Sequence, residues 1–166
     1  MKTIPLTQGK VAQVSDDQYE RASQYKWHAS QTAAGTWYAT RNGKRFIFGR
    51  EKPVQLHRFL MNVTDPSLEV DHIDGDGLNC QNENLRVCTH AENMRNFSKP
   101  RNNTTGYKGV SHMKEGRYGA HIKHNGVAQY LGTYNNVLDA ARAYDKAAVE
   151  LHGEFAKLSF PQPTQR

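Results

Sequence analysis

Between Glu69 and Phe97 the chain reads EVDHIDGDGLNCQNENLRVCTHAENMRNF, and four polar residues stand out in it: Asp71, His72, Asn84 and Asn93. The Asp71 carboxylate and the Asn93 amide oxygen are hard oxygen donors, the kind that hold Mg²⁺ or Mn²⁺ while the ion keeps several waters. His72, with an ordinary imidazole pKa of about 6.5, can take a proton from water near neutral pH. Asn84 could hydrogen-bond that imidazole and set its tautomer. Hydrolysis of a phosphodiester asks for these parts, a charge-neutralising metal and a base for the attacking water. The expected site is therefore a one-metal site with Asp71 and Asn93 as ligands and His72 and Asn84 as the catalytic pair.

The same run contains the elements that must hold those groups. Val70 and Ile73 flank the Asp-His pair as in a short strand, and DGDGLNCQNEN is too rich in Gly, Asp and Asn to be anything but loop. NLRVC, from Asn84 to Cys88, reads as a second strand with Leu85 and Val87 buried. Thr89 and Glu92 form a capping box that starts a helix and fixes where Asn93 points. Asp74 and Asp76 are read as turn residues. A calcium loop of the EF-hand type is excluded, because Leu78 and Leu85 occupy its ligand positions. Cys88 and His90 are read as incidental.

With its Asp-His pair, its Asn on the second strand and its final Asn on the helix, this run resembles the HNH nucleases. Because the last position is Asn93, it is similar to the H-N-N version found in phage and intron homing endonucleases. The resemblance implies a ββα-metal (His-Me finger) fold with Asp71 and Asn93 as metal ligands, His72 as general base and Asn84 as its orienting partner. LHRFLM, Leu56 to Met61, resembles the segment that precedes the motif in that group. His57 within it is left open between structural anchoring and a phosphate or active-site contact.

Upstream, Met1 to Val14 reads as a strand pair turning at Gly9-Lys10, and Ser15-Asp16 starts a helix. Aromatic strands follow, with Asn42-Gly43 as the turn of a hairpin. Residues 1–50 form a β-rich module without evident chemistry. In it Trp27, Trp37 and Phe46 are read as core, and Arg41, Lys44, Arg45 and Arg50 as solvated or phosphate-touching. PVQLHRFLMN, Pro53 to Asn62, fits a strand, a helix or a strand running into a helix.

Downstream, SKPRNNTT (residues 98–105) carries no apolar residue and reads as a linker between domains 1–97 and 106–160. Beyond it, turns at Glu115-Gly116 and Asn125-Gly126 separate three strands. In the middle one Tyr118, Ala120 and Ile122 share one face, and Arg117, Gly119, His121 and Lys123 the other. Asn136 caps a helix with an apolar stripe of Leu138, Ala141, Tyr144, Ala148 and Leu151, and Gly153 ends it. The expected fold class is thus α+β: a β-rich module leading into the nuclease fold, then a three-stranded antiparallel sheet on one helix. YKGV, AHIK, YLGTY and AARAYDKAAVELHG resemble the plant Apetala-type, or ethylene-response-factor, DNA-binding domain. That resemblance implies a sheet laid in the major groove, with Lys108, Arg117, His121, Lys123 and Tyr130 facing DNA. Ser111 and Met113 stand where plant proteins carry Arg, so the plant target sequence does not transfer.

Charge supports this division of labour. Residues 1–97 hold 12 Lys+Arg against 11 Asp+Glu, whereas residues 98–166 hold 10 against 5. A basic C-terminal part favours a polyanion, duplex DNA first. No stacking motif for RNA is evident, and no obligate protein partner. With no apolar run near the ~18 residues of a membrane span and no leader segment, a cytoplasmic protein of a bacterial host cell is expected. The two cysteines, Cys80 and Cys88, match no zinc pairing and are expected to be reduced. The reading is a metal-dependent DNA endonuclease of phage or intron homing type that nicks or cuts both strands. The alternative is a non-cleaving DNA-binding regulator with a degenerate nuclease domain.

Overall fold

The computed structural model describes residues 1–43, 45–46, 49–50, 52–96 and 102–160, in a mixed α+β arrangement of several small sheets and few helices. Two compact units, Met1–Asn93 and Met94–Arg166, divide inside one helix, a few residues before the linker expected at 98–105.

In the first unit β1 (Lys2–Pro5) and β2 (Val11–Val14) pair antiparallel, and α1 (Asp16–Ser23) follows. Ser15 sits at the N-cap of α1 but makes no capping bond; its hydroxyl accepts the amide of Asn82 instead. Next come β3 (His28–Gln31) and β4 (Trp37–Arg41), which are paired. The expected hairpin at Asn42-Gly43 does not form. The short strands β5 (Arg45–Phe46) and β6 (Gly49–Arg50) pair with each other, while β4 takes β7 (Val54–Gln55) as its second neighbour. Lys44 and the side chains of Arg45, Phe46 and Arg50 lie outside the described residues.

β7 runs directly into α2 (Leu56–Leu60), so Pro53 to Asn62 is the strand-into-helix form. β8 (Leu68–His72) and β10 (Leu85–Thr89) pair antiparallel, and α3 (His90–Asn96) follows. The stretch expected to be all loop contains β9 (Asn79–Cys80), parallel to β2, and a single 3-10 turn at Asn82–Asn84.

Val14, Leu56 and Cys80, all fully buried, centre a core that draws on α1, α2 and the β1–β2–β9, β3–β4–β7 and β8–β10 sheets, with Trp27 and Leu60 packed in. Trp27 is core, as expected, and its Nε1 donates to Ala22 O at 2.8 Å. Trp37 is only half-buried, with the Lys10 ammonium over its ring. Arg41 is no phosphate arm: its guanidinium stacks on Tyr25 at 4.4 Å, with Trp27 and Phe59 beside it. Arg58 on α2 ties down the start of β8, donating to Leu68 O at 2.5 Å and Asp65 O at 2.8 Å.

The second unit consists of β11 (Val110–His112), β12 (Tyr118–His124) and β13 (Val127–Tyr134) in one antiparallel sheet, followed by α4 (Val137–His152). Both turns have the backbone their sequences ask for. Glu115 and Gly116 have φ of 60° and 71°, and Asn125 and Gly126 have φ of 49° and 83°. The Asn136 side chain accepts the Leu138 amide at 2.8 Å, capping α4. Ala120 and Ile122 of β12 are buried beneath Ala141, Tyr144 and Ala148 of α4, while His121 and Lys123 point to solvent. Gly109, at φ of 69°, leaves no room for a Cβ, which would lie 2.1 Å from the Tyr144 ring. Among the described residues, no helix is long and apolar enough to cross a membrane.

Candidate active site

In the β8–β10 pair Asp71 lies opposite Arg86, Glu69 opposite Cys88 and His72 opposite Leu85. Opposed residues share a face and neighbours along a strand alternate, so Glu69, Asp71, Arg86 and Cys88 occupy one side of the pair. Val70, His72, Leu85 and Val87 occupy the other. Leu85 is buried there, but Val87, expected in the core, is exposed.

On the first side the Arg86 guanidinium grips Asp71, with Nε and Nη2 donating to Oδ2 at 2.9 and 2.6 Å. Both side chains are nearly shielded from water, at 11% and 6% exposure. At that depth each charge needs the other, and two donors of one guanidinium converge on the single oxygen Oδ2.

The capping box that starts α3 forms as expected. The Thr89 amide donates to Glu92 Oε2 at 2.8 Å, and the Glu92 amide to Thr89 Oγ1 at 3.3 Å. One turn on, Asn93 Nδ2 donates to Glu69 Oε2 at 2.5 Å, while His90 Nδ1 lies 2.8 Å from Glu69 Oε1. His90 is therefore not incidental, since it shares with Asn93 the clamping of Glu69. The Asn93 bond, followed by that of His90, holds the Glu69 carboxyl below the usual range against the opposing pull of burial. Glu69 and Asp71 are two residues apart on one strand face, roughly 7 Å along the chain, so the Asn93 amide sits above the same face as Asp71.

His72 ends β8 on the other side, buried among Tyr38, His57 and Cys80. Its ring meets that of His57 edge to face at 4.8 Å, and Tyr38 lies 5.8 Å away. Its Nε2 is 3.8 Å from Cys80 Sγ. Burial lowers the imidazole pKa, and the carboxylates of Asp74, Asp71 and Asp76 only partly offset this, so the ring is neutral near pH 7 and able to accept a proton. Burial also drives the Cys80 thiol up to about 12, which removes it as a nucleophile. His57 is pushed down to about 3, chiefly by burial and then by His72 and Arg58. Its Nδ1 is buried and has no hydrogen-bond partner among the described residues. Tyr38 rests against His72, and burial, then the Asp71 and Glu69 carboxylates, push its hydroxyl pKa up.

Asn84 does not do what its spacing suggested. Its Nδ2 donates to Asp74 Oδ1 at 3.0 Å and Asn79 O at 2.7 Å, and its Oδ1 accepts the Asp74 amide at 3.1 Å. With both ends of the amide engaged by the loop, it pins the segment that leaves His72 rather than bonding the imidazole. The Ile73 amide closes the same turn on Asn84 O at 2.9 Å. Asp74 and Asp76 are turn residues, accepting the amides of Asp76 and Leu78.

Among the described residues no three His, Cys, Asp or Glu side chains stand close enough to cage a metal. A carboxylate and an amide oxygen on one face, with a second carboxylate between them, instead suit an ion that keeps most of its water. Cys80 and Cys88 are free and buried.

In the second unit His121, Lys123 and Tyr130 lie exposed on the sheet, where His121 is paired with Tyr130. The Tyr130 hydroxyl bonds Thr133. Arg117 is exposed at the start of β12 and paired with Glu115 at 2.9 Å. Lys108 departs from this group. Its ammonium turns inward to donate to Arg95 O at 2.5 Å, and burial, with Lys157, lowers it to about 8.

Sequence reasoning passed over Glu69, Arg86, Tyr38 and Cys80. Glu69 and Arg86 were findable, because the pairing that sets Asp71 opposite Arg86 follows from aligning the two strands. Tyr38 lies more than thirty positions from the motif, and nothing local marks it.

Comparison with known proteins bears on this site directly. The model of the HNH endonuclease family matches residues 64–95. An uncharacterised HNH endonuclease of Acanthamoeba polyphaga mimivirus is 33% identical over 153 residues, covering 89% of this chain and 74% of that protein. Protein 3.8 of Escherichia phage T7 is 34% identical over 114 residues, or 69% of this chain and 94% of the other. Dehydration-responsive element-binding protein 2C of Arabidopsis thaliana is 35% identical over 75 residues, 44% of this chain but only 22% of the plant protein. The matched segment 64–95 holds the Asp71–Arg86 pair, the capped start of α3 and Asn93, and the viral likeness runs through most of the chain: the protein belongs to the HNH endonuclease family.

Proposed function

We propose that this endonuclease is metal-dependent and cuts duplex DNA, with Asp71 and Asn93 holding one Mg²⁺ or Mn²⁺ and His72 acting as general base. The observation that carries the reading is the convergence of Asp71, Glu69 and Asn93 on one strand face, with the neutral imidazole of the adjoining residue, His72, turned to the other side at the strand end. A divalent ion bound there would neutralise charge developing on the phosphate. Arg86 holds the Asp71 carboxylate in place through two hydrogen bonds to Oδ2. His72 takes the proton of the attacking water, and Tyr38, His57 and Cys80 hold its ring. Asn84 acts by pinning the loop behind His72, a positioning role. His57 is packed against the base without reaching solvent, which favours support of His72 over phosphate contact.

The ββα unit formed by β8, β10 and α3 would be the cutting module, and residues 106–160 an Apetala-type module that grips DNA. In that module the exposed face with Arg117, His121, Lys123 and Tyr130 would enter the major groove. The likeness to plant DNA-binding proteins and the surplus of basic residues after position 97 support this. The H-N-N pattern and the viral relatives favour a homing-type enzyme of a phage, acting in the cytoplasm of the host cell.

Pure protein with Mg²⁺ should nick or cut supercoiled plasmid and the DNA flanking its own gene. His72→Ala should abolish cleavage while gel-shift binding persists; cleavage retained by that variant would overturn the assignment of the base.

A further inference from the structure

We infer that Glu69 is a positioning residue that selects which end of the Asn93 amide is offered to the metal. The inference rests on the reading of Asn93 as a ligand. An asparagine side chain has an oxygen that can ligate a hard cation and an NH₂ that cannot, and the two ends have nearly the same shape. Something must therefore decide which end faces the ion. An ionised carboxylate only accepts hydrogen bonds, so the group facing Glu69 Oε2 at 2.5 Å has to be the NH₂ of Asn93. The amide oxygen is left as the end not committed to protein; among the described residues the Asn93 side chain makes no other hydrogen bond.

Glu69 is itself held for this task. His90 Nδ1 takes Oε1 at 2.8 Å, leaving Oε2 to Asn93. His90 and Asn93 are three residues apart on α3, and so on one side of the helix. The capping box at Thr89 sets the start of that helix. The carboxylate thus joins β8 to α3 at the one point where amide orientation decides whether an oxygen is available. Outer groups that orient metal ligands in this way typically govern about 10–100-fold in metal affinity.

Charge alone gives a carboxylate near a cation some effect on affinity, so the test has to separate orientation from charge. Glu69→Gln and Glu69→Met both remove the charge at similar size, but only Gln can still accept from Asn93. Mn²⁺ affinity of the full chain, read by electron paramagnetic resonance of free Mn²⁺, should fall about tenfold further in Glu69→Met than in Glu69→Gln. With Asn93→Asp as background the ligand has two equivalent oxygens and needs no orienting, so the two substitutions should give equal affinities. Thermal unfolding of each variant separates loss of fold from loss of ligand. Equal affinities of Glu69→Gln and Glu69→Met in the Asn93 background, with Asn93→Ala itself weakening Mn²⁺ binding, would overturn the role of Glu69 and leave Asn93 a ligand. The same Gln–Met gap persisting in the Asn93→Asp background would mean a merely structural role. Unchanged Mn²⁺ affinity in Asn93→Ala would overturn the ligand reading and the inference with it.

Discussion

Asp71 and Arg86 form a nearly buried ion pair in the first unit, and neither charge has enough water to stand alone. Removing one partner of such a pair leaves a buried charge without compensation, typically at a cost of about 3–5 kcal/mol. Arg86→Ala should therefore destabilise the first unit by about 3 kcal/mol, and Asp71→Asn in the same background should restore part of it. Both tryptophans, Trp27 and Trp37, belong to the first unit, so urea unfolding followed by tryptophan fluorescence reports on that unit alone. The sequence named Asp71, His72 and Asn93 from their chemistry, since carboxylate, imidazole and amide announce what they can do. It misjudged Asn84 and Lys108 for a common reason. A side chain's partner is a matter of three-dimensional distance, and here Asp74 and Asn79 O reach Asn84 first, and Arg95 O reaches Lys108.

At the level of elements, local signals were reliable where the capping or turn residue and the pairing agree. The Thr89–Glu92 box, the Asn136 cap and the Asn125-Gly126 turn all have the predicted geometry. The Asn42-Gly43 turn failed because β4 already has two other neighbours, β3 and β7, and a two-residue signal cannot outweigh two tertiary pairings. Likewise β9 was invisible as a strand, since Asn79-Cys80 is paired only through its distant partner β2. Thr89→Ala should cost about 1 kcal/mol of stability and loosen the first turn of α3, seen as faster hydrogen exchange at the amides of Glu92 and Asn93. A second test lies where α4 meets β12. His152 is buried, its ring stacks on His124, and its Nε2 lies 3.2 Å from Lys123 O. Burial lowers its pKa first; the Lys123 carbonyl opposes this, and Arg95, His124 and Lys108 add to the lowering. The unfolded chain then binds the proton more readily than the folded one. The stabilisation is complete above an ordinary imidazole pKa of about 6.5 and is lost as the pH falls below it. Hydrogen exchange along α4 should accelerate between neutral pH and pH 5 once corrected for intrinsic rates, and His152→Gln should flatten that dependence.

For the whole molecule, the uneven charge is the most informative quantity. Residues 1–97 carry nearly balanced charge and the part after position 97 a surplus of five, the asymmetry on which the proposed division between cleavage and DNA grip rests. Removal of residues 98–166 should weaken binding to duplex DNA and reduce the salt dependence by roughly 0.9 log–log units for each phosphate no longer neutralised, measured by fluorescence anisotropy across a salt series. An unchanged slope would mean that the exposed sheet face is not where DNA lies.

The loop after His72 is fitted to β4 with no spare room: a Cβ on Gly77 would come within 2.3 Å of Trp37 O and 2.6 Å of the Tyr38 ring, the same ring that rests against His72. The β-rich strands near the amino terminus are therefore a wall against which His72 and its loop are seated, and not an appendage to them. Heredity follows from that fit. A gene fragment carrying the thirty-odd residues of the recognisable motif would move the reactive groups without the surface that seats them, so recombination that keeps the enzyme alive has to carry both stretches together.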